Sequence, residues 1–77
     1  MKVGDLVTPD TTHLKSGWFH LWDRFFEDGK VYAKQKAKLH VGELGIVISF
    51  KDSHSVYVMN SRGQIGYISI GNLKRIE

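Results

Sequence analysis

The stretch from Gly42 to Ile76 leaves the fewest folds open. Short runs of β-branched and aromatic residues alternate there with turns built around glycine. Gly42-Glu43-Leu44-Gly45-Ile46-Val47-Ile48-Ser49-Phe50 reads as a strand opened through glycines, and Lys51-Asp52-Ser53-His54 as the turn after it. Ser55-Val56-Tyr57-Val58-Met59 has the composition of a half-buried strand. Asn60-Ser61-Arg62-Gly63 is a hairpin turn in which Gly63 supplies positive φ. Gln64 to Ile70 forms the next strand, Gly71-Asn72 breaks it, and Leu73-Lys74-Arg75-Ile76 closes the series. Upstream, Val3-Gly4-Asp5 makes a tight turn into Leu6-Val7, and Pro9 and Asp10 end that strand. Strands at such close intervals predict a small barrel, because closure removes exposed sheet edges.

The rest of the composition sets bounds. The 77 residues are enough for one domain, 1–77, and too few for two. A domain of this size buries roughly 60% of its unfolded surface, so its core is thin. Without cysteine, neither disulfides nor thiolate metal sites hold it together. With 42% hydrophobic and 25% charged residues the chain reads as globular. No apolar run approaches the ~18–20 residues that span a bilayer, and no apolar segment of signal-peptide type follows Met1-Lys2-Val3-Gly4-Asp5. We expect a cytoplasmic protein with no membrane association. The net charge of +3 and a pI near 9.3 admit an anionic partner without making the dense basic stripe of a dedicated nucleic-acid binder.

Residues 10–39 are the ambiguous part. Thr11, Thr12, His13, Lys15, Ser16 and Gly17 read as loop. In the aromatic run that follows, Trp18, Leu21, Trp22 and Phe25 fall at i, i+3, i+4 and i+7, one face of a helix, with Ser16 as cap and Gly29 as stop. Asp28-Gly29 is equally the favoured pair for a two-residue hairpin turn, which makes 19–27 and 30–38 the arms of a long hairpin. Lys34, Lys36 and Lys38 alternate with Gln35, Ala37 and Leu39, as in a strand with lysines facing water. The preferred reading is a short helix followed by that strand; the extended hairpin is its rival.

Val3-Gly4-Asp5-Leu6-Val7, Gly42-Glu43-Leu44-Gly45-Ile46-Val47 and Val56-Tyr57-Val58 together resemble the KOW and related SH3-like barrel arrangement. The tail Ile70-Gly71-Asn72-Leu73-Lys74-Arg75-Ile76 is similar to the single 3₁₀ turn and last strand that close such barrels. The resemblance covers residues 3–8 and 42–76. It implies a mainly β, single SH3-like barrel in which Leu73 plugs one end. Relative to the KOW pattern, Asp10 to Leu39 is an enlarged insertion between the first two strands. Barrels of this type include RNA- and ribosome-binding modules, protein-docking subunits and small standalone bacterial or phage proteins, so the likeness speaks to fold more than function.

Candidate chemistry is sparse. His13, His20, His40 and His54 lack a His-x₃-His pair, and surface histidines are the preferred reading over metal ligands. The serines show no nucleophile-elbow pattern. Gly42-x-x-Gly45 opens a strand with no following Lys-Ser/Thr, so it does not match a phosphate loop. We expect no catalytic residue, no metal and no cofactor. The aromatic run offers more: Trp18, Leu21, Trp22 and Phe25 are read as covering the open end of the barrel, with Phe19 and Phe26 exposed as interface anchors. The expected function is a non-enzymatic module that docks onto a protein partner or self-associates, an accessory or regulatory protein of bacterial or phage type. Its candidate contact residues are Trp18, Phe19, Trp22, Phe26, Tyr57 and Tyr67. The alternative is a KOW-type RNA- or DNA-binding protein using Lys34, Lys36, Lys38, Arg62, Lys74 and Arg75.

Overall fold

In the computed structural model, which describes residues 1–12 and 17–76, Asp28 and Gly29 both take positive φ, 51° and 75°. That is the sign pattern of a type I′ turn, whose twist matches that of the strands it joins. The aromatic segment is therefore one arm of a long hairpin. The strands in chain order are β1 (Leu6–Pro9), β2 (Trp18–Glu27), β3 (Lys30–His40), β4 (Gly45–Phe50), β5 (Ser55–Met59), β6 (Ile65–Ser69) and β7 (Leu73–Ile76). A single 3₁₀ turn, Ile70–Asn72, separates β6 from β7. The loop reading at His13–Ser16, including the proposed Ser16 cap, lies outside the described residues.

The preferred helix over Trp18–Glu27 is thus corrected to a strand, and Gly29 is a turn residue rather than a helix stop. The helical spacing arose because β2 carries large apolar side chains on both faces. Leu21 is buried and Phe19 packs against the core, whereas Trp18 and Trp22 alternate to the other side. Four residues drawn from two faces of a strand mimicked one face of a helix. No α-helix occurs among the described residues, and none of their helices is long or apolar enough to cross a membrane.

Among the described residues all pairings are antiparallel, and seven strands form one sheet in the order β3-β2-β6-β5-β4-β1-β7. Among the described residues no pairing joins β3 to β7, so the expected closure is not made and the sheet is open. Every strand contributes to the core: Val7, Leu21, Leu39, Val47, Val56, Val58, Ile68 and Leu73. Leu21 and Leu39 are fully buried, so the base of the hairpin belongs to the core. The cover formed by Trp18, Leu21, Trp22 and Phe25 is corrected accordingly: of these only Leu21 is buried.

Three contacts fasten the hairpin base. A Cβ on Gly66 would lie 2.7 Å from Leu21 Cβ and 2.9 Å from the Trp22 carbonyl oxygen, so only glycine lets β2 approach β6 this closely. Asn60 is buried, and its amide group donates to the Lys38 carbonyl (3.1 Å) and to Gln64 Oε1 (3.0 Å). Its side-chain oxygen accepts from the N–H groups of Arg62 and Gln64, both at 3.0 Å, so the buried amide is satisfied. Glu43 accepts from the His40 N–H (2.9 Å), the Ser61 N–H (3.0 Å) and the Ser61 hydroxyl, tying the turn after β3 to the turn after β5.

A bulge divides the hairpin. Leu21 pairs with Ala37 and Trp22 with Gln35, leaving Lys36 as the extra residue. Beyond it, among the described residues, Asp23–Glu27 and Lys30–Lys34 pair only with each other. Phe26 at this tip is 80% exposed.

Candidate functional site

The registers align aromatic side chains across the outer face of the sheet. Trp22 on β2 lies opposite Tyr67 on β6, and Tyr67 lies opposite Tyr57 on β5. Directly opposite residues share a face, and on β5 and β6 this face is the one away from the buried Val56, Val58 and Ile68. All three aromatic residues are half-buried. The Tyr57 and Tyr67 rings meet edge to face, with centroids 6.0 Å apart and planes at 83°. Lys51 Nζ sits 4.6 Å from the Tyr67 centroid and 3.2 Å from Asp52 Oδ2. The His54 N–H, together with Lys51, holds the Asp52 carboxyl below its usual range.

An adjoining row is aliphatic. Ile76, Leu6, Ile46, Met59 and Ile65 lie successively opposite one another on β7, β1, β4, β5 and β6. Met59 and Ile65 are two residues from Tyr57 and Tyr67 on the same strands and the same face, so the two rows join into one continuous apolar surface.

β2 and β6 pair at Trp22–Tyr67 and then splay. The gap is a hollow of about 350 Å³. Phe19, Trp22, Tyr67 and Ile68 form its apolar walls, and His20, Ser55, Ser69 and Asn72 line it with polar groups. A second hollow of about 210 Å³ adjoins it through His20 and is lined by Gln35, Lys36, Ala37 and Lys38. His20 meets Trp22 edge-on at 5.9 Å. This surface offers apolar contact, hydroxyl and amide groups, and cations at one rim. Among the described residues no three His, Asp or Glu side chains cluster in the manner of a metal site.

The six expected contact residues fall into separate places. Trp22, Tyr67 and Tyr57 form the aromatic row. Phe19, expected to be exposed, instead packs against the core and forms one wall of the larger hollow. Trp18 stands near His40, at 6.3 Å, with Lys38 Nζ 4.3 Å from its ring. Phe26 is at the hairpin tip, opposite Val31.

The basic set is also divided. Alternation predicted one lysine face, but the bulge at Lys36 switches the faces of β3. Lys38 lies over Trp18, whereas Lys34 lies 5.8 Å from the ring of Phe25, which faces the opposite way on β2. Lys36 approaches Asp23 at 3.9 Å. Arg62 donates to the Lys38 carbonyl oxygen at 3.4 Å. Lys74 and Arg75 lie opposite Thr8 and Val7 on β7, the other edge of the sheet order from β3.

Residue-level reasoning missed His20, Ser69 and Asn72 as members of this surface. The Tyr57–Tyr67 pair had a legible signal, since both lie the same number of residues from the centre of the Asn60–Gln64 turn. Its junction with Trp22 had none, because that pairing is between strands distant in the chain.

Comparison with known proteins finds no matching family model, no matching curated protein and no matching solved structure.

Proposed function

We propose that this chain is a non-enzymatic binding module of the SH3-like barrel type, docking a protein partner on the outer face of β2, β6 and β5. Two features support the barrel reading. One is the 3₁₀ turn before β7, which matches the turn and closing strand that the resemblance implies; the other is that β1 lies between β4 and β7, so the chain's first and last strands are neighbours. In that reading the β2–β3 hairpin is an elaborated loop between the first two barrel strands.

The observation that carries the docking function is the Trp22–Tyr67–Tyr57 row continuous with the aliphatic row beside it. Side chains of this type on a solvent face mark interaction surfaces, and aromatic residues dominate binding hot spots because they bury large area at low entropic cost. Nucleic acid is the second reading, favoured by the lysines at the rim of the same face. Ring availability weighs against it: Lys51 covers Tyr67, and Tyr57 meets Tyr67 edge-on, so neither ring pair forms an open stacking platform.

The test is affinity capture with and without nuclease, comparing wild type with Tyr67→Ala and Tyr57→Ala variants whose folding is verified by circular dichroism. Docking requires a protein that survives nuclease and is lost with Tyr67→Ala. Capture abolished by nuclease in the wild type would transfer the function to nucleic-acid binding.

A further inference from the structure

The two hollows on the outer face share one residue and differ in character. The larger has aromatic and aliphatic walls, and the smaller carries Lys36 and Lys38. The larger lies between β2 and β6 and the smaller between β2 and β3, so their centres are separated by one to two strand spacings, roughly 5–10 Å. In an extended peptide, residues i and i+2 point to the same side about 6.5–7 Å apart. A peptide crossing the strands therefore presents two successive same-side side chains to the two hollows.

Charge decides what the second side chain is. Lys36 and Lys38 stand at the smaller hollow, Asp23 approaches Lys36, and the Arg62 guanidinium lies at the Lys38 carbonyl, so cations outnumber carboxylates here. A carboxylate offsets that excess, whereas a further cation is repelled. A run of phosphates would meet too little positive charge here, since Lys34 is turned to the other face and Lys74 and Arg75 are on the far edge strand.

We propose that this face reads an extended peptide bearing an aromatic or large apolar residue and, two positions along, an aspartate or glutamate. The apolar side chain enters the hollow walled by Trp22, Tyr67 and Phe19. The carboxylate lies against Lys36 and Lys38, with His20 between the two subsites. This inference rests on the docking reading and narrows the partner to an acidic segment.

The experiment is a ¹⁵N-detected NMR titration with capped heptapeptides in a Gly/Ser background. They contain Trp-Gly-Glu, Trp-Gly-Lys or Ala-Gly-Glu at the centre. The Trp-Gly-Glu peptide is expected to shift the Trp22 indole and the Lys38 amide together. Replacing its Glu with Lys should weaken Kd by up to about fivefold, the scale of an exposed ion pair. The Ala-Gly-Glu peptide should lose the Trp22 shift. The charge-reversed protein K36E/K38E, folded by circular dichroism, should prefer the Trp-Gly-Lys peptide. Equal affinities for the Glu and Lys peptides, or no shift with any peptide at millimolar concentration, would overturn the proposal. If a nuclease-resistant partner were still captured through Tyr67 in that event, docking would stand and only the acidic-segment reading would fall.

Discussion

The base and the tip of the β2–β3 hairpin are continuous in hydrogen bonding and opposite in what holds them. At the base, Leu21 and Leu39 are fully buried, Gly66 admits β2 against β6, and Asn60 anchors the Lys38 carbonyl. At the tip, Phe25 stacks on Tyr32 with centroids 5.3 Å apart, and among the described residues no third strand pairs with either arm. A two-stranded ribbon alone is marginal in water. The base thus shares the stability of the whole domain, and the tip depends on its turn and a few cross-strand contacts.

The sharpest way to break this contrast is Leu21→Ala. It removes a fully buried side chain where strand pairing leaves little room to collapse. The expected loss is about 2–5 kcal/mol in urea unfolding, enough to unfold much of a domain this small. A loss below about 1 kcal/mol would place the base outside the cooperative core.

Acid titration tests the link between the base and the rest of the sheet at smaller scale. Partial burial pushes the Glu43 carboxyl up, but the hydrogen bonds from His40 and Ser61 and the nearby Arg62 charge together hold it below its usual value. Its folded pKa is below the unfolded one, so it adds stability above the unfolded pKa that is lost as pH falls through the folded pKa. Glu43→Gln should flatten the stability–pH profile in the acid range at and below the ordinary glutamate pKa. An unchanged profile would mean that this carboxylate does not hold the two turns together.

The smallest effect belongs to the tip. Phe26→Ser should change global stability by less than about 0.5 kcal/mol, as exposed substitutions do. It should accelerate amide exchange only within Asp23–Lys34. A large loss of global stability would show that base and tip form one cooperative unit.

The same contrast explains what could be read from the chain. Ser55–Met59 and Leu73–Ile76 were legible to the residue, because each is a β-branched or aliphatic segment bounded by turn residues. β2 was misread because Trp18 and Trp22 face outward while Phe19 and Leu21 face inward, and periodicity alone cannot separate a two-faced strand from a helix. Asp28-Gly29 held the decisive local signal. The two tyrosines of the candidate face were singled out, but their union with Trp22 and Lys51 depends on which strands become neighbours. A one-residue bulge is equally silent: Lys34, Lys36 and Lys38 look like one stripe, and only the observed register shows that they are not.

That bulge also bears on how such a chain changes over evolutionary time. Because Lys36 is absorbed outside the ladder, the count of residues in the tip is uncoupled from the registry of Leu21 and Leu39 beneath it. Deleting it would leave Trp22–Gln35 and Leu21–Ala37 as consecutive pairs, with the core undisturbed. Residues 24–33 are in effect a cassette on a fixed stem, a stretch whose length can change at little cost to the core beneath it.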